Sequence, residues 1–133
     1  MMTIDYSIET QEKFNELLEN SYHDEDMHVF INEHGEENFI RYYEDYVSFG
    51  ESYTYQVIDE FIYEFGLENI RSFNDAYMGQ WDSFRHFVEN IFLEINNVPE
   101  EVAMYLDWNK IEDDYAYDYY FEYNTNTVYN KNF

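Results

Sequence analysis

The sequence predicts a mostly helical α+β protein: two tandem helix-loop-helix repeats forming a four-helix core, followed by a small helical and β-hairpin C-terminal region. Three observations carry this reading. A motif series recurs at an interval of 31 residues, apolar residues fall at helical spacing within each copy, and the C-terminal stretch turns to aromatic and β-branched residues around a polar turn. The 133 residues then divide into a reduced N-terminal region (1–34), a helical repeat domain (35–97) and a C-terminal α+β region (98–133).

In the N-terminal region, Thr10 through Leu18 reads as a helix, with Phe14, Leu17 and Leu18 on one side and Glu9, Glu12, Glu16 and Glu19 largely on the other. His28 to Ile31 reads as a short strand.

The repeat is ungapped. Gly35, Glu37, Asn38, Tyr42, Glu44, Tyr46, Glu51, Ser52, Tyr53, Val57 and Phe61 recur as Gly66, Glu68, Asn69, Phe73, Asp75, Tyr77, Asp82, Ser83, Phe84, Val88 and Phe92. Such a match defines a supersecondary unit. In the second copy Phe84, Phe87, Val88, Ile91, Phe92 and Ile95 share one helical face, and in the first Tyr53, Val57, Ile58, Phe61, Ile62 and Phe65 do the same. Ser52 and Ser83 stand where a hydroxyl caps free backbone N–H groups. Gly35 and Gly66 suit the turn before each copy's first, shorter helix.

Beyond the repeats, Pro99 fits the first turn of a helix running to about Leu106, with Glu100 and Glu101 at its positive end. A further helix is expected from Asp107. Tyr119, Tyr120, Phe121 and Tyr123, the turn Asn124-Thr125-Asn126, then Val128 and Tyr129 form a hairpin pattern.

Thirty acids against six bases leave a net charge of −24, in a chain that is 23% aromatic. Disordered acidic segments are poor in aromatics, so this chain is expected to fold. The excess is spread as −8, −10 and −6 over residues 1–35, 36–97 and 98–133, so the whole surface is acidic and not one tail. Phosphate backbones and anionic lipid repel such a body, which argues against direct nucleic-acid or membrane binding and for a basic partner. A coat serving solubility alone needs a net charge of only about 2–8 in magnitude. Without cysteine there is no disulfide or thiol chemistry. No apolar run nears the roughly 20 residues of a membrane span, and Met1 to Tyr6 lack the basic flank and apolar stretch of a signal peptide. A soluble protein of the cytoplasm is expected.

No catalytic constellation emerges, so no enzyme, cofactor or metal site is expected. His23, His28, His34 and His86 have no zinc-site spacing; His23 and His34, beside acids, are expected in solvent, and His86 beside the apolar face in packing. Asp24-Glu25-Asp26 and Asp113-Asp114 lack the alternating ligands of a calcium loop. Among so many carboxylates some pair always has a glycosidase separation, so that signal carries nothing.

Charge itself is the remaining candidate. Duplex DNA carries one charge per roughly 1.7 Å, so the net charge equals that of about 40 Å of duplex, on the order of a dozen base pairs. Carboxylates three or four apart on a helix stand roughly 5–6 Å apart, near the interval between phosphates on a strand. The candidate phosphate imitators are the repeated pairs Glu37 and Glu68, Glu44 and Asp75, Glu51 and Asp82, with Asp59, Glu60, Glu64, Glu89 and Glu94 on helix surfaces. Purely structural roles compete: Glu37 and Glu68 suit helix N-termini, and Asp82 a cap. Two functions fit, a DNA mimic blocking a DNA-binding enzyme and an acidic adaptor for a basic nucleoid protein without duplex mimicry.

The series Ala76-Tyr77-Met78-Gly79-Gln80-Trp81-Asp82-Ser83-Phe84, the helix with Phe87 and Val88, Val98-Pro99-Glu100, and Tyr105-Leu106-Asp107-Trp108 resembles the ArdA-type antirestriction proteins. Asp118-Tyr119 and Val128-Tyr129-Asn130 are similar to that family's C-terminal hairpin. The resemblance spans roughly residues 35 to 133. It implies an elongated, homodimeric DNA mimic encoded by a phage or mobile element, which evades host defence by occupying the DNA groove of a type I restriction-modification enzyme.

Overall fold

A computed structural model describes residues 6–133; the signal-peptide reading rests on residues 1–5, which lie outside the described residues. The described chain is mostly helical with a three-stranded antiparallel sheet, and it forms two compact units, Met1–Ile70 and Arg71–Phe133.

Four helices build the first unit. Helix α1, Ile8–Glu19, starts where Ser7 Oγ accepts the Thr10 N–H at 3.1 Å. Its buried face is Thr10, Phe14 and Leu17, while Leu18 stays 40% exposed. Helix α2, Asp24–His34, opens with three acids, which the positive helix end favours. The expected strand His28–Ile31 is instead part of α2. Met27, Phe30 and Ile31 are all buried, an i, i+3, i+4 set that packs only as a helix face and overrides the local β preference of Val29-Phe30-Ile31.

Helix α3, Glu36–Tyr53, and helix α4, Tyr55–Phe65, follow. Here the expected order of a shorter helix and then a longer one is reversed. Helix α3 runs straight through Glu51 and Ser52, so Ser52 caps nothing. The cap of α4 is Thr54, whose Oγ1 accepts the Val57 N–H at 3.3 Å from a backbone with φ of +128°. Phe39, Val57, Ile58 and Phe61 are buried at 3% exposure or less. Phe14, Phe30, Phe39 and Tyr43 form a chain of ring contacts with centroids 5.1–6.5 Å apart.

Both repeat glycines end a helix in the same way. Gly35 and Gly66 have φ of +90° and +94°, and each donates its N–H to the carbonyl four residues back at 2.8 Å. Asn38 Nδ2 then donates to the His34 carbonyl at 2.9 Å, and Asn69 Nδ2 to the Phe65 carbonyl at 2.6 Å. The Gly-x-x-Asn spacing is thus a helix-stop device used twice.

After the second stop the copies part. Residues Leu67–Ser72 form a 3₁₀ segment, followed by the short helix α5, Phe73–Ala76, and strand β1, Tyr77–Gln80. A four-helix core of two equivalent repeats is therefore not what the second copy builds. Helix α6, Phe84–Asn96, is capped by Ser83 Oγ, which accepts the His86 N–H at 3.0 Å. Phe87 and Val88 are buried on its inner face, whereas Ile95 is 69% exposed. Pro99 precedes α7, Glu100–Ala103, which stops short of the expected Leu106. Asp107 caps α8, Trp108–Tyr115, by accepting the Lys110 N–H.

Strands β2, Tyr119–Glu122, and β3, Thr127–Asn130, form the hairpin, with Phe121 opposite Val128. Strand β3 is central, because β1 pairs with its other edge through Tyr77 opposite Tyr129 and Gln80 opposite Thr127. Phe87, Val88, Phe121 and Val128 make the small core between sheet and helix, flanked by Met78, Trp81, Phe84 and Ile111.

Candidate functional site

Every candidate phosphate imitator stands at the surface. Glu37, Glu44, Glu51, Asp59, Glu64, Glu68, Asp75, Asp82 and Glu94 are exposed, and Glu60 and Glu89 are half-buried. Glu37, Glu44 and Glu51 lie on α3 at steps of seven residues, two helical turns, so they form one stripe with roughly 10 Å of rise between neighbours. Glu60 and Glu64 stand one turn apart on α4. The sequence equivalents of the stripe do not form another: Glu68 is in the 3₁₀ segment, Asp75 in α5 and Asp82 in the loop before α6.

Several of these acids have local partners. Lys13 of α1 holds Glu44 in an ion pair, Arg41 Nη2 lies 3.2 Å from Glu37, and Tyr46 Oη donates to Asp59 at 2.8 Å. Asp82 caps nothing; it is solvated, 3.8 Å from His86 Nδ1. The basic residues act mostly as ties. Arg85 joins α6 to α8 through Glu112 and Asn109, and Lys131 Nζ donates to the Ala116 carbonyl. Since six cations neutralise at most six acids, at least twenty-four carboxylates stay uncompensated at neutral pH.

Two acids outside the candidate set of eleven have clear structural duties. Glu36 Oε1 accepts the Ser7 N–H at 2.8 Å, tying α3 to the start of α1, and hydrogen bonds from Ser7 and Thr10 hold its carboxyl below the usual carboxylate range. Glu122 is 5% exposed in the hairpin, where it accepts from the Thr125 N–H, the Thr125 hydroxyl and the Asn124 amide. In the sequence, Glu122 stands two residues before the polar turn Asn124-Thr125-Asn126 that it ties.

Three of the four histidines lie against aromatic rings. His34, expected in solvent, is half-buried with its ring 4.6 Å from Phe30. His28 shares a 2.6 Å hydrogen bond with Tyr6 Oη and packs on Phe14, while His86 meets Trp81 edge-on. Among the described residues no group of three or more His, Asp or Glu is placed to hold a metal ion.

One concave feature of the first unit combines charge with aromatic walls. Between α2, α3 and α4 lies an open cleft of about 250 Å³, walled by Phe30, Tyr43, Tyr46 and Tyr55, with Asp26 and Glu33 at its rim. A second hollow of about 320 Å³ shares Asp26, Tyr43 and Tyr55 and adds Tyr22, His23 and Glu51. Tyr46 and Tyr55 have ring centroids 5.3 Å apart, and Tyr22 and Tyr43 5.9 Å. Burial first, and then the nearby carboxylates, push the Tyr43 and Tyr46 phenols well above their ordinary range; Asp26 acts on Tyr43, and Asp59 and Glu33 on Tyr46. Tyr55 is raised for the same reasons, with Glu51 the largest charge.

Gly50 explains how Tyr55 reaches this wall. A Cβ at this buried position in α3 would collide with the Tyr55 ring, so the ring lies directly on the helix backbone. A mid-helix glycine costs about 1 kcal/mol relative to alanine, which the close ring contact offsets.

No family model, curated protein or solved structure matches the chain. No helix of the described residues is long and apolar enough to cross a membrane.

Proposed function

We propose that the protein is an acidic DNA mimic that inhibits a DNA-binding host defence enzyme, foremost a type I restriction-modification complex, by occupying its DNA groove as a homodimer. The observation that carries this reading is the outward display of the eleven candidate acids, with too few bases to neutralise them. Mounting carboxylates on packed helices holds them in place, so a basic channel meets a fixed array and not a diffuse polyanion. The ordered motif resemblance to ArdA-type proteins supports the same target class, and no metal, cofactor or catalytic group takes part.

The test is competition. Titrating the protein into a type I methyltransferase complex bound to duplex DNA should release the DNA near stoichiometry, with affinity falling steeply as salt rises. Retention of the DNA at stoichiometric protein removes the restriction target. Reversal of Glu51, Asp59, Glu60 and Glu64 to Lys, one at a time and then together, should lower inhibition in steps. Complete loss from a single reversal contradicts distributed mimicry.

A further inference from the structure

We propose that the tyrosine-walled cleft between α2, α3 and α4 is a receptor for one arginine side chain of a basic protein partner. The inference deepens the reading of a basic partner and rests on it only for the source of the guanidinium.

Shape, wall chemistry and charge agree on that occupant. At about 250 Å³ the open cleft has room for one planar side-chain group entering from outside. Four of its eight lining residues are aromatic, and a planar guanidinium stacks on aromatic rings where a compact, strongly hydrated ammonium does so less well. Asp26 and Glu33 line the cleft, and a carboxylate is the acceptor that a guanidinium pairs with in bidentate fashion. Asp26 engages no basic side chain among the described residues, and no Lys or Arg lines either hollow. The site is also held ready. Tyr46 is pinned by its hydrogen bond to Asp59, and Tyr55 lies in the notch left by Gly50. Glycine at position 50 is thus a choice of cleft shape over helix propensity.

This assigns the cleft a job different from the acid array. The array attracts any basic surface over a distance, whereas a stacked and forked side chain sets the register of the partner on the first unit.

The test is an amide-resonance titration of the full chain with three pentapeptides that differ only at the centre: arginine, its uncharged isostere citrulline, and lysine. The arginine peptide should saturate, with shifts concentrated on residues 22–33, 43–47 and 50–55. Citrulline should bind at least about tenfold more weakly and lysine several-fold more weakly. Two variants separate the cleft from bulk charge, because neither alters the net charge. Tyr55→Leu removes a wall, and Gly50→Ala raises helix propensity while displacing the ring; each should weaken arginine-peptide binding about fivefold or more, with circular dichroism showing α3 retained. Non-saturating shifts spread over all acidic faces, equal binding of citrulline, or unchanged binding by both variants overturns the proposal. DNA displacement from the methyltransferase is scored separately: peptide binding without displacement removes the restriction target and keeps the cleft, and displacement that survives both variants without peptide binding does the reverse.

Discussion

Residues 35–65 and 66–96 carry the same spacing of Gly, Asn, aromatic and acid residues, and their first four residues build the same junction, yet one continues as an 18-residue helix and the other breaks into 3₁₀ segment, short helix and strand. The divergence traces to a few substitutions. Where the first copy has Ser48 and Gly50, the second has Gly79 and Trp81. Gly79 takes φ of +95°, which a helix does not allow, and Trp81 donates its ring N–H to the Met78 carbonyl and its backbone N–H to the Asn126 carbonyl of the hairpin. Strand pairing to β3 then replaces helix hydrogen bonds for β1. One repeat pattern therefore specifies the junction and the packed helix after it, while the segment between is decided by its tertiary neighbours.

The largest test of that comparison is in the packed helices. Phe61 and Phe92 are equivalent in sequence, but Phe61 is fully buried and Phe92 half-buried against Trp108 and Tyr115. Phe61→Ala should cost about 3–5 kcal/mol and Phe92→Ala about half as much. Urea unfolding of both variants, with amide exchange to assign the loss to residues 6–70 or 71–133, measures it. Equal costs would show that the two helices are packed alike despite the exposure difference.

Next in size is a pH effect centred on the tyrosine cleft. Tyr43, Tyr46 and Tyr55 have folded-state pKa values above the ordinary 10.0. The stability this represents is fully present below pH 10 and is lost as pH rises through the raised values, because the unfolded chain ionises first. Unfolding midpoints should fall between about pH 9 and about pH 11, and the fall should be shallower in Tyr46→Phe, which cannot ionise there. A parallel fall in that variant would place the effect in the other buried tyrosines with raised values, Tyr129 among them.

The features legible in sequence were those with local causes. Ser83 and Asp107 cap the helices they precede, Gly35 and Gly66 end helices with positive φ, and the Asn124-Thr125-Asn126 turn joins two strands. Strand β1 was not legible. Its four residues become a strand only by pairing with residues 127 to 129, far along the chain, and Tyr77-Met78-Gly79-Gln80 has no alternation of its own. The stretch Val29-Phe30-Ile31 failed the opposite way, since its β-like composition yields to the helical face that Met27 completes. For the site, the exposure of the acids followed from composition alone, but the stripe on α3 required knowing that the helix passes through Glu51 and Ser52. The cleft was invisible because its tyrosines come from positions 22, 43, 46 and 55, which only packing brings together.

A smaller effect separates the two junctions. Gly35→Ala and Gly66→Ala should each cost about 1–3 kcal/mol, because alanine is strained at these φ values. They differ in space: a Cβ at Gly35 meets nothing within 4 Å, whereas one at Gly66 lies 2.5 Å from the Glu68 carboxylate. Gly66→Ala should therefore be the costlier, and the excess should vanish when Glu68 is also alanine. An excess that persists in the double variant would locate it in the backbone.

The smallest prediction bears on the helix caps, where equivalent serines do unequal work. Ser83 Oγ accepts the His86 N–H at the start of α6, so Ser83→Ala should cost about 1 kcal/mol. Ser52 is exposed inside α3, where alanine is the better helix former, so Ser52→Ala should be neutral or slightly stabilising, within about 0.5 kcal/mol. The cap of the first copy has moved two residues on, and Thr54→Ala should accordingly behave like Ser83→Ala. Thermal unfolding of the three single variants decides it. If Ser52→Ala proved as costly as Ser83→Ala, α3 would end before Ser52, and Glu51 would leave the stripe with Glu37 and Glu44.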